Sequence, residues 1–226
     1  VDGGKVAVVG AGELGALLAS RMPGVFRKVI INRPKTEAVA LADEVGGVAS
    51  DQFSAVRGCD VIFCAVPDED VLRVIGEMAP HLEPGALVVN MALTVMTSEL
   101  SSAFPNLRIA AVKVVGDAAE MARGGQGAVL IDHASDEEEE LLRQLVEGLG
   151  PAVRGSEQMA LDAAAAVVEV VSQAAAELRR RLKALGLAEP QITSAVAAAG
   201  PGVFRAVAQK SFSPFIQSVL TRLQGG

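Results

Sequence analysis

The stretch Lys5-Val6-Ala7-Val8-Val9-Gly10-Ala11-Gly12-Glu13-Leu14-Gly15-Ala16-Leu17-Leu18-Ala19 sets the reading of the whole chain. Val6 to Val9 is a short, largely β-branched apolar run, the composition of a parallel strand buried on both faces. Glycines follow at 10, 12 and 15, and Leu14, Leu17 and Leu18 recur at helical spacing. Strand, glycine turn and helix, in that order, are the context in which G-x-G-x-x-G marks a dinucleotide site. Gly10 permits the tight turn, Gly12 lets the backbone approach a pyrophosphate, and Gly15 lets the helix lie close to the strand. The free N–H groups and positive end of that helix, entered through Ala11 and Glu13, then face the phosphates. Glycine-rich turns are common, and it is the flanking strand and helix that give this one its meaning.

The next strand bears on which dinucleotide is expected. Lys28-Val29-Ile30-Ile31-Asn32-Arg33-Pro34-Lys35 is apolar and ends in polar residues. Asn32 stands about 20 residues after Gly12, where an NAD-binding chain usually carries Asp or Glu for the ribose 2′-hydroxyl. The first carboxylate here is Glu37. A carboxylate repels a 2′-phosphate, whereas Arg33 can grip one bidentately and Lys35 adds charge. In isolation Arg33 and Lys35 would read as ordinary cations on a solvated loop. At this offset from the glycines they point to NADP rather than NAD.

With 226 residues, half of them hydrophobic, the chain suits one domain of ordinary size plus an appendage. It has no Trp, no Tyr and seven Phe, so the core must be aliphatic and alanine-rich. A formal charge of −7 argues against general nucleic-acid binding, which needs a basic face. Cys59 and Cys64 flank an apolar strand at a spacing that suits neither a disulfide framework nor a zinc site, and Cys64 reads as a small buried hydrophobe. The first residue is not Met, and no signal peptide is recognised. No uncharged apolar run reaches the ~18 residues of a membrane span. The expectation is a cytoplasmic protein with no membrane partner and no metal-ligand cluster.

Along the chain, Thr36 to Val45 reads as a helix closed by Gly46-Gly47, Val48 to Ser50 as a weak third strand, and Gln52 to Arg57 as a short helix. Asp60 to Pro67 is a clear strand, stopped by Pro67. Asp68 is positioned to cap the following helix through Val71, Leu72, Ile75 and Met78. Ala86 to Met91 is the next strand, Ser98 to Ala103 a helix and Leu107 to Val115 a sixth strand. This alternation predicts an α/β fold with a doubly wound parallel sheet of Rossmann type and right-handed crossovers. Ligands then bind beyond the carboxyl ends of the strands, so Gly10, Asn32, Ala65, Val66, Pro67, Asn90, Met91 and Lys113 should line one cleft. Ala128 to Ile131 and Pro151 to Arg154 read as further strands around a helix. The acidic run Asp136 to Glu140 belongs to that helix's first turn, with Ser135 and Glu138 at capping-box spacing.

From Ser156 the composition changes, giving a dinucleotide domain over 1–155 and a helical segment over 156–226. Ser156 to Leu185 is an alanine-rich helix of about 45 Å with Leu161, Ala164, Val168, Val171, Ala175, Leu178, Leu182 and Leu185 in a narrow heptad seam. A homodimer through this helix is the expectation, the alternative being that it packs on its own sheet domain. Pro190 opens a further helix that Gly200-Pro201-Gly202 should break. Ser213 and Pro214 start a last helix expected to bury Phe215, Ile216, Val219, Leu220 and Leu223.

Together, Gly10 to Gly15, Asn32-Arg33, Asp60 to Pro67, Pro84 to Asn90 and Gly125-Gln126-Gly127 resemble the pyrroline-5-carboxylate reductases and the related deazaflavin-dependent NADP oxidoreductases. The resemblance covers roughly residues 4 to 155. It implies an NADPH-dependent reductase of a small C=N or C=O substrate, with Gly10, Gly12, Gly15, Asn32, Arg33, Ala65 and Pro67 as cofactor contacts. Ala11, Glu13, Leu14, Lys35, Val66 and Asn90 join them as candidates. The family's Met-Pro-Asn after the sixth strand is replaced by Val112-Lys113-Val114-Val115-Gly116-Asp117. The Ser-Gly-x-Gly-Pro imine signature and the Pro-Gly-Gly-Thr segment are absent as well. Hydride exchange with a deazaflavin, or a dimeric NADP-binding module without catalysis, are the alternatives. Catalytic candidates are Lys113, in an otherwise apolar strand where burial would lower its pKa, and Asp117; Asn90, Thr94 and His133 lie nearby in the pattern. The other reading of Lys113 is that it snorkels to the surface or pairs with an acid.

Overall fold

The computed structural model describes residues 3–224. The apolar run at the start forms β1 (Lys5–Val9), and the glycine turn leads into α1 (Glu13–Arg21). Next come β2 (Arg27–Ile31), α2 (Lys35–Val45), β3 (Val48–Ser50), β4 (Val61–Cys64) and α3 (Val71–Met78), then β5 (Leu87–Asn90), α4 (Thr97–Ala103) and β6 (Arg108–Val115). Among the described residues one sheet forms, in the order β3-β2-β1-β4-β5-β6 and then two more strands, β7 (Ala128–Asp132) and β8 (Ala152–Arg154). The strands from β1 to β6 are parallel, which is the expected doubly wound, Rossmann-type arrangement. β7 runs antiparallel to β6, and β8 is parallel to β7. The reversal follows from α5 (Ala118–Ala122), a five-residue helix too short for a crossover, after which the chain turns straight back.

Alternate residues of each strand feed two cores. Val6, Val8, Phe63, Val89 and Val112 pack on α1 and on α6 (Asp136–Val146); Ala7, Val9, Ile62, Cys64 and Val88 pack on α3 and α4. Burial on both faces explains why these strands read as continuous apolar runs. The capping box is present: Ser135 Oγ accepts from the Glu138 amide at 3.3 Å and Glu138 accepts from the Ser135 amide at 2.7 Å. Asp68 does not cap α3. It lies in a 3₁₀ turn, Asp68–Asp70, and accepts instead from the Thr94 amide at 2.9 Å.

The chain divides into two compact units, one ending at Ala164 and the other beginning at Ala165, and α7 (Glu157–Ala184) runs across that boundary. Within α7, Glu157 and Ala160 are the described residues that are buried, while Val167, Val168, Val170 and Val171 are exposed. By length and composition α7 could also cross a membrane, with a mean hydropathy of 1.4 over its best window, although Asp162, Glu169 and Glu177 punctuate it. Two helices follow, α8 (Glu189–Ala208) and α9 (Pro214–Gln224). Contrary to expectation, α8 runs through Gly200-Pro201-Gly202 without breaking. A proline inside a helix removes one hydrogen bond and crowds the carbonyl four residues before it, where the small Ala197 stands. Of the residues expected to be buried in α9, Phe215 is 74% exposed and Ile216, Val219 and Leu220 are half-buried, while the Leu223 side chain lies outside the described residues.

Candidate functional site

The site begins where β1, β2 and β4 end. Gly10 has φ +104, a conformation that side chains disfavour, and a Cβ there would sit 2.2 Å from the Ala65 carbonyl oxygen. Its amide donates to Ile31 O at 2.8 Å, and the Ala65 amide donates to Val9 O at 2.8 Å, so the three strand ends are drawn together at this glycine. Gly12 is the N-cap of α1 and offers no side chain to cap it. The first-turn amides of a helix have no intrahelical acceptor, so the start of α1 stays available to an anion. Glu13 is exposed there, Leu14 leans on the core and Gly15 is buried.

Asn32 braces this turn. Its Oδ1 accepts from the Ala11 amide at 3.0 Å, and its Nδ2 donates to Pro34 O at 3.2 Å and to Glu37 Oε2 at 2.7 Å. Both amide hydrogens are thereby used, and Glu37, the first carboxylate after the strand, is brought back to the strand end. Arg33 lies over the Phe53 ring, 4.4 Å from its centroid, with Nε on Asp51 O at 2.9 Å and one terminal nitrogen 3.3 Å from Glu77. Arg73 joins Asp70 to Glu77, and its guanidinium, together with Arg33, holds the Glu77 carboxyl below the usual carboxylate range. A groove of about 150 Å³ is lined here by Gly10, Asn32, Arg33, Phe53, Val66 and Pro67 among others. Lys35 opens α2 and is exposed. The groove thus gathers Gly10, Asn32, Arg33, Val66 and Pro67 as anticipated, and adds Phe53, Asp70 and Arg73, which carried no motif.

Three expected cleft residues lie beneath the surface instead, among them Met91, which packs in the core at 4% exposure. Asn90 and Lys113 have no exposed surface. Lys113 Nζ donates to Ala92 O, to Val95 O at 3.0 Å and to Glu157 Oε1 at 2.9 Å. Burial pulls the Lys113 pKa below that of an ordinary lysine, and Glu157 works against that shift. All three N–H groups are engaged, so none is left to face a substrate. Asp117 is the N-cap of α5, accepting from the Glu120 amide at 2.8 Å, which is a structural use of its carboxylate. His133 stands just past β7 with φ +54, its Nε2 3.4 Å from Glu157 Oε2. Asp132, His133 and Glu157 bring ligand-type atoms within 4.8 Å of one another. The Lys113 ammonium on the same carboxylate opposes a cation there.

Two residues that tie the site together gave no sequence signal. Arg21, at the end of α1, donates to the carbonyls of Met121, Gly125 (3.0 Å) and Gly148 (3.1 Å), pinning the Gly124–Gly127 turn to the glycine helix. Glu157 reads in the sequence as one more acidic residue in a helix's first turn, and nothing local links it to Lys113.

Residues 5–94 match the family described as NADP oxidoreductase, coenzyme F420-dependent. A glutamyl-tRNA reductase from Desulfotalea psychrophila is 33% identical over 85 residues, which is 35% of this chain and 20% of that protein. The chain therefore spans only about a fifth of that curated relative. Among solved structures, a pyrroline-5-carboxylate reductase from Coxiella burnetii superposes with a TM-score of 0.69 at 16% identity, covering 99% of this chain and 91% of that one. An imine reductase variant from Myxococcus stipitatus in complex with NAD+ gives 0.60 at 22% identity, covering 98% and 77%. Residues 5–94 thus resemble the coenzyme F420-dependent NADP oxidoreductases, and the chain has a fold shared with pyrroline-5-carboxylate reductases and imine reductases.

Proposed function

We propose that the chain binds NADP(H) beyond the carboxyl ends of β1, β2 and β4, and serves hydride transfer to a small compound with a C=N or C=O bond. The observation that carries this reading is the uncapped start of α1 behind Gly10 and Gly12, with Arg33 poised on Phe53 at the neighbouring strand end. The residues present fit the group: Gly12 has no atom within 4 Å of where a Cβ would stand, which leaves the turn open to a pyrophosphate. The first-turn amides of α1 would hold the phosphates, and Arg33, already fixed by Asp51 and Phe53, would meet a 2′-phosphate at its remaining edge. Glu37 and Glu77 limit how much positive charge the groove presents, so Arg33 must exchange part of its Glu77 contact for the phosphate. A nicotinamide cofactor bound there supplies the hydride chemistry, while the protein orients it.

The test is binding first and turnover second. NADPH should bind in the micromolar range and more tightly than NADH, and one of a panel of cyclic imines and keto acids should be reduced. Absence of any change in fluorescence or melting temperature with NADPH refutes the reading. The family match over residues 5–94 favours a second reading, hydride exchange with a reduced deazaflavin; spectrophotometric exchange under saturating NADPH separates the two. NADPH binding without turnover of any of these leaves a binding module.

A homodimer through α7 belongs to the same proposal. Val168 and Val171 are 66% and 41% exposed on a helix whose small residues permit close approach. Glu169 would be costly in a bilayer, so a second protein helix suits this face better than lipid.

A further inference from the structure

Segment 91–96 joins β5 to α4 without regular structure, so its backbone polar groups must find partners elsewhere. Side chains from other elements supply them. Lys113 in β6 donates to the carbonyls of Ala92 and Val95. Asn90, at the end of β5, accepts from the Ala92 amide at 3.1 Å and donates to Val95 O at 2.7 Å. Asp68 holds Thr94 through its amide and hydroxyl. Where the segment enters α4, the Thr97 amide donates to Glu157 Oε2 and its hydroxyl to Oε1, both at 2.8 Å.

Most of these anchors converge on one ion pair, Lys113 Nζ to Glu157 Oε1 at 2.9 Å, with side-chain exposures of 0% and 4%. Burying two charges costs desolvation that a well-packed apolar pair would avoid. Stability alone therefore does not account for the pair, whereas its place under an irregular segment gives it a use. The segment starts at the carboxyl end of β5, next to β4, where Cys64 stands opposite Asn90. The ends of these central strands are where the reacting half of a dinucleotide lies in such sheets. Lys113 cannot act on reactants directly, because its three N–H groups all point to protein acceptors.

We propose that Lys113 and Glu157 are positioning residues: their ion pair fixes segment 91–96 as the wall against which the nicotinamide ring is seated, and neither contacts the reactants. This rests on the dinucleotide reading of the glycine turn. It assigns Lys113 a task other than proton donation, and it gives the first turn of α7 a part in shaping the cleft.

The experiment compares two ligands on the full chain: NADPH, and 2′-phospho-ADP-ribose, which lacks the nicotinamide ring. Lys113→Met, Glu157→Gln and the milder Thr97→Val are measured against the wild type, with the emission of bound NADPH recorded. The expected result is NADPH weakened about tenfold by either charge variant and about threefold by Thr97→Val, with the ring-free ligand within about twofold throughout. Bound NADPH should then emit more as it does in water. Equal weakening of both ligands marks a general loss of structure and overturns the proposal, as does unchanged binding of both. Should the charge variants fail to fold, Thr97→Val alone decides, by the same comparison. A wild-type protein that binds neither ligand refutes the dinucleotide reading itself, and the positioning role with it.

Discussion

Gly12→Ala separates the needs of the fold from the needs of a ligand. Gly12 has φ −70 and ψ −175, extended backbone open to any residue. A Cβ at this position meets nothing within 4 Å. Alanine is a poorer N-cap than glycine by up to about 1 kcal/mol. Stiffening the unfolded chain returns about 0.4–1 kcal/mol, so the net effect on stability is close to zero. The methyl group would nevertheless stand where the pyrophosphate approaches the turn. The expected outcome is a melting temperature within about 2 °C of wild type and NADPH affinity reduced by at least about tenfold, or 1.4 kcal/mol. Gly15→Ala is the contrasting control. Its Cβ would lie 2.0 Å from Gly10 O, more than an ångström short of ordinary contact, and the obstacle is backbone that cannot swing aside. Helix α1 must shift off the turn, at a cost of about 1–3 kcal/mol, which lowers the melting temperature by roughly 2–4 °C per kcal/mol. Calorimetry and a fluorescence titration read both quantities. A Gly12→Ala protein that binds NADPH as wild type does would refute the placement of phosphates on this turn.

Four further outcomes are expected. Arg33→Ala should weaken NADPH by about 1–3 kcal/mol and leave NADH nearly unchanged in parallel titrations, because the lost contact is to the 2′-phosphate alone; equal losses for both would place Arg33 on the shared part of the dinucleotide. Burial pushes the Cys64 thiol up to about 12 and raises Cys59 as well, so neither should react with a thiol reagent at pH 8 until the protein is unfolded. The Cys64 value lies above that of the unfolded chain. Its contribution to stability is therefore complete below about pH 9 and is lost as pH rises toward about 12, and a melting temperature flat across that window would contradict the burial. Val168→Glu should convert a dimer to a monomer in size exclusion, because a charge without a partner is costly in a dry helix seam; a wild-type monomer at micromolar concentration would refute the seam, and a dimer that tolerates the change would move the contact to α8 or α9.

The sequence by itself determined the glycine turn, the order of the strands and helices through β6, the capping box at Ser135 and Glu138, and Arg33 at the end of β2. These are local properties. Apolar runs, helical spacing and cap residues act over a few positions, and parallel pairing with right-handed crossovers then leaves little freedom in the order of strands. Tertiary structure alone decided what each polar residue meets. Asp68 could serve as a cap on pattern alone, yet it holds Thr94, because β4 and β5 end side by side and bring the two loops together. Asn90 and Lys113 sit near strand ends and so looked like cleft residues. Their side chains point under segment 91–96, where Glu157 of α7 completes the buried pair. Pro201 stays within α8, since the lost hydrogen bond is local and the small Ala197 stands at the crowded carbonyl. Periodicity tells which face of an element a residue occupies. Which partner it finds there depends on strand register and on where distant helices begin, and no short stretch of sequence carries that information.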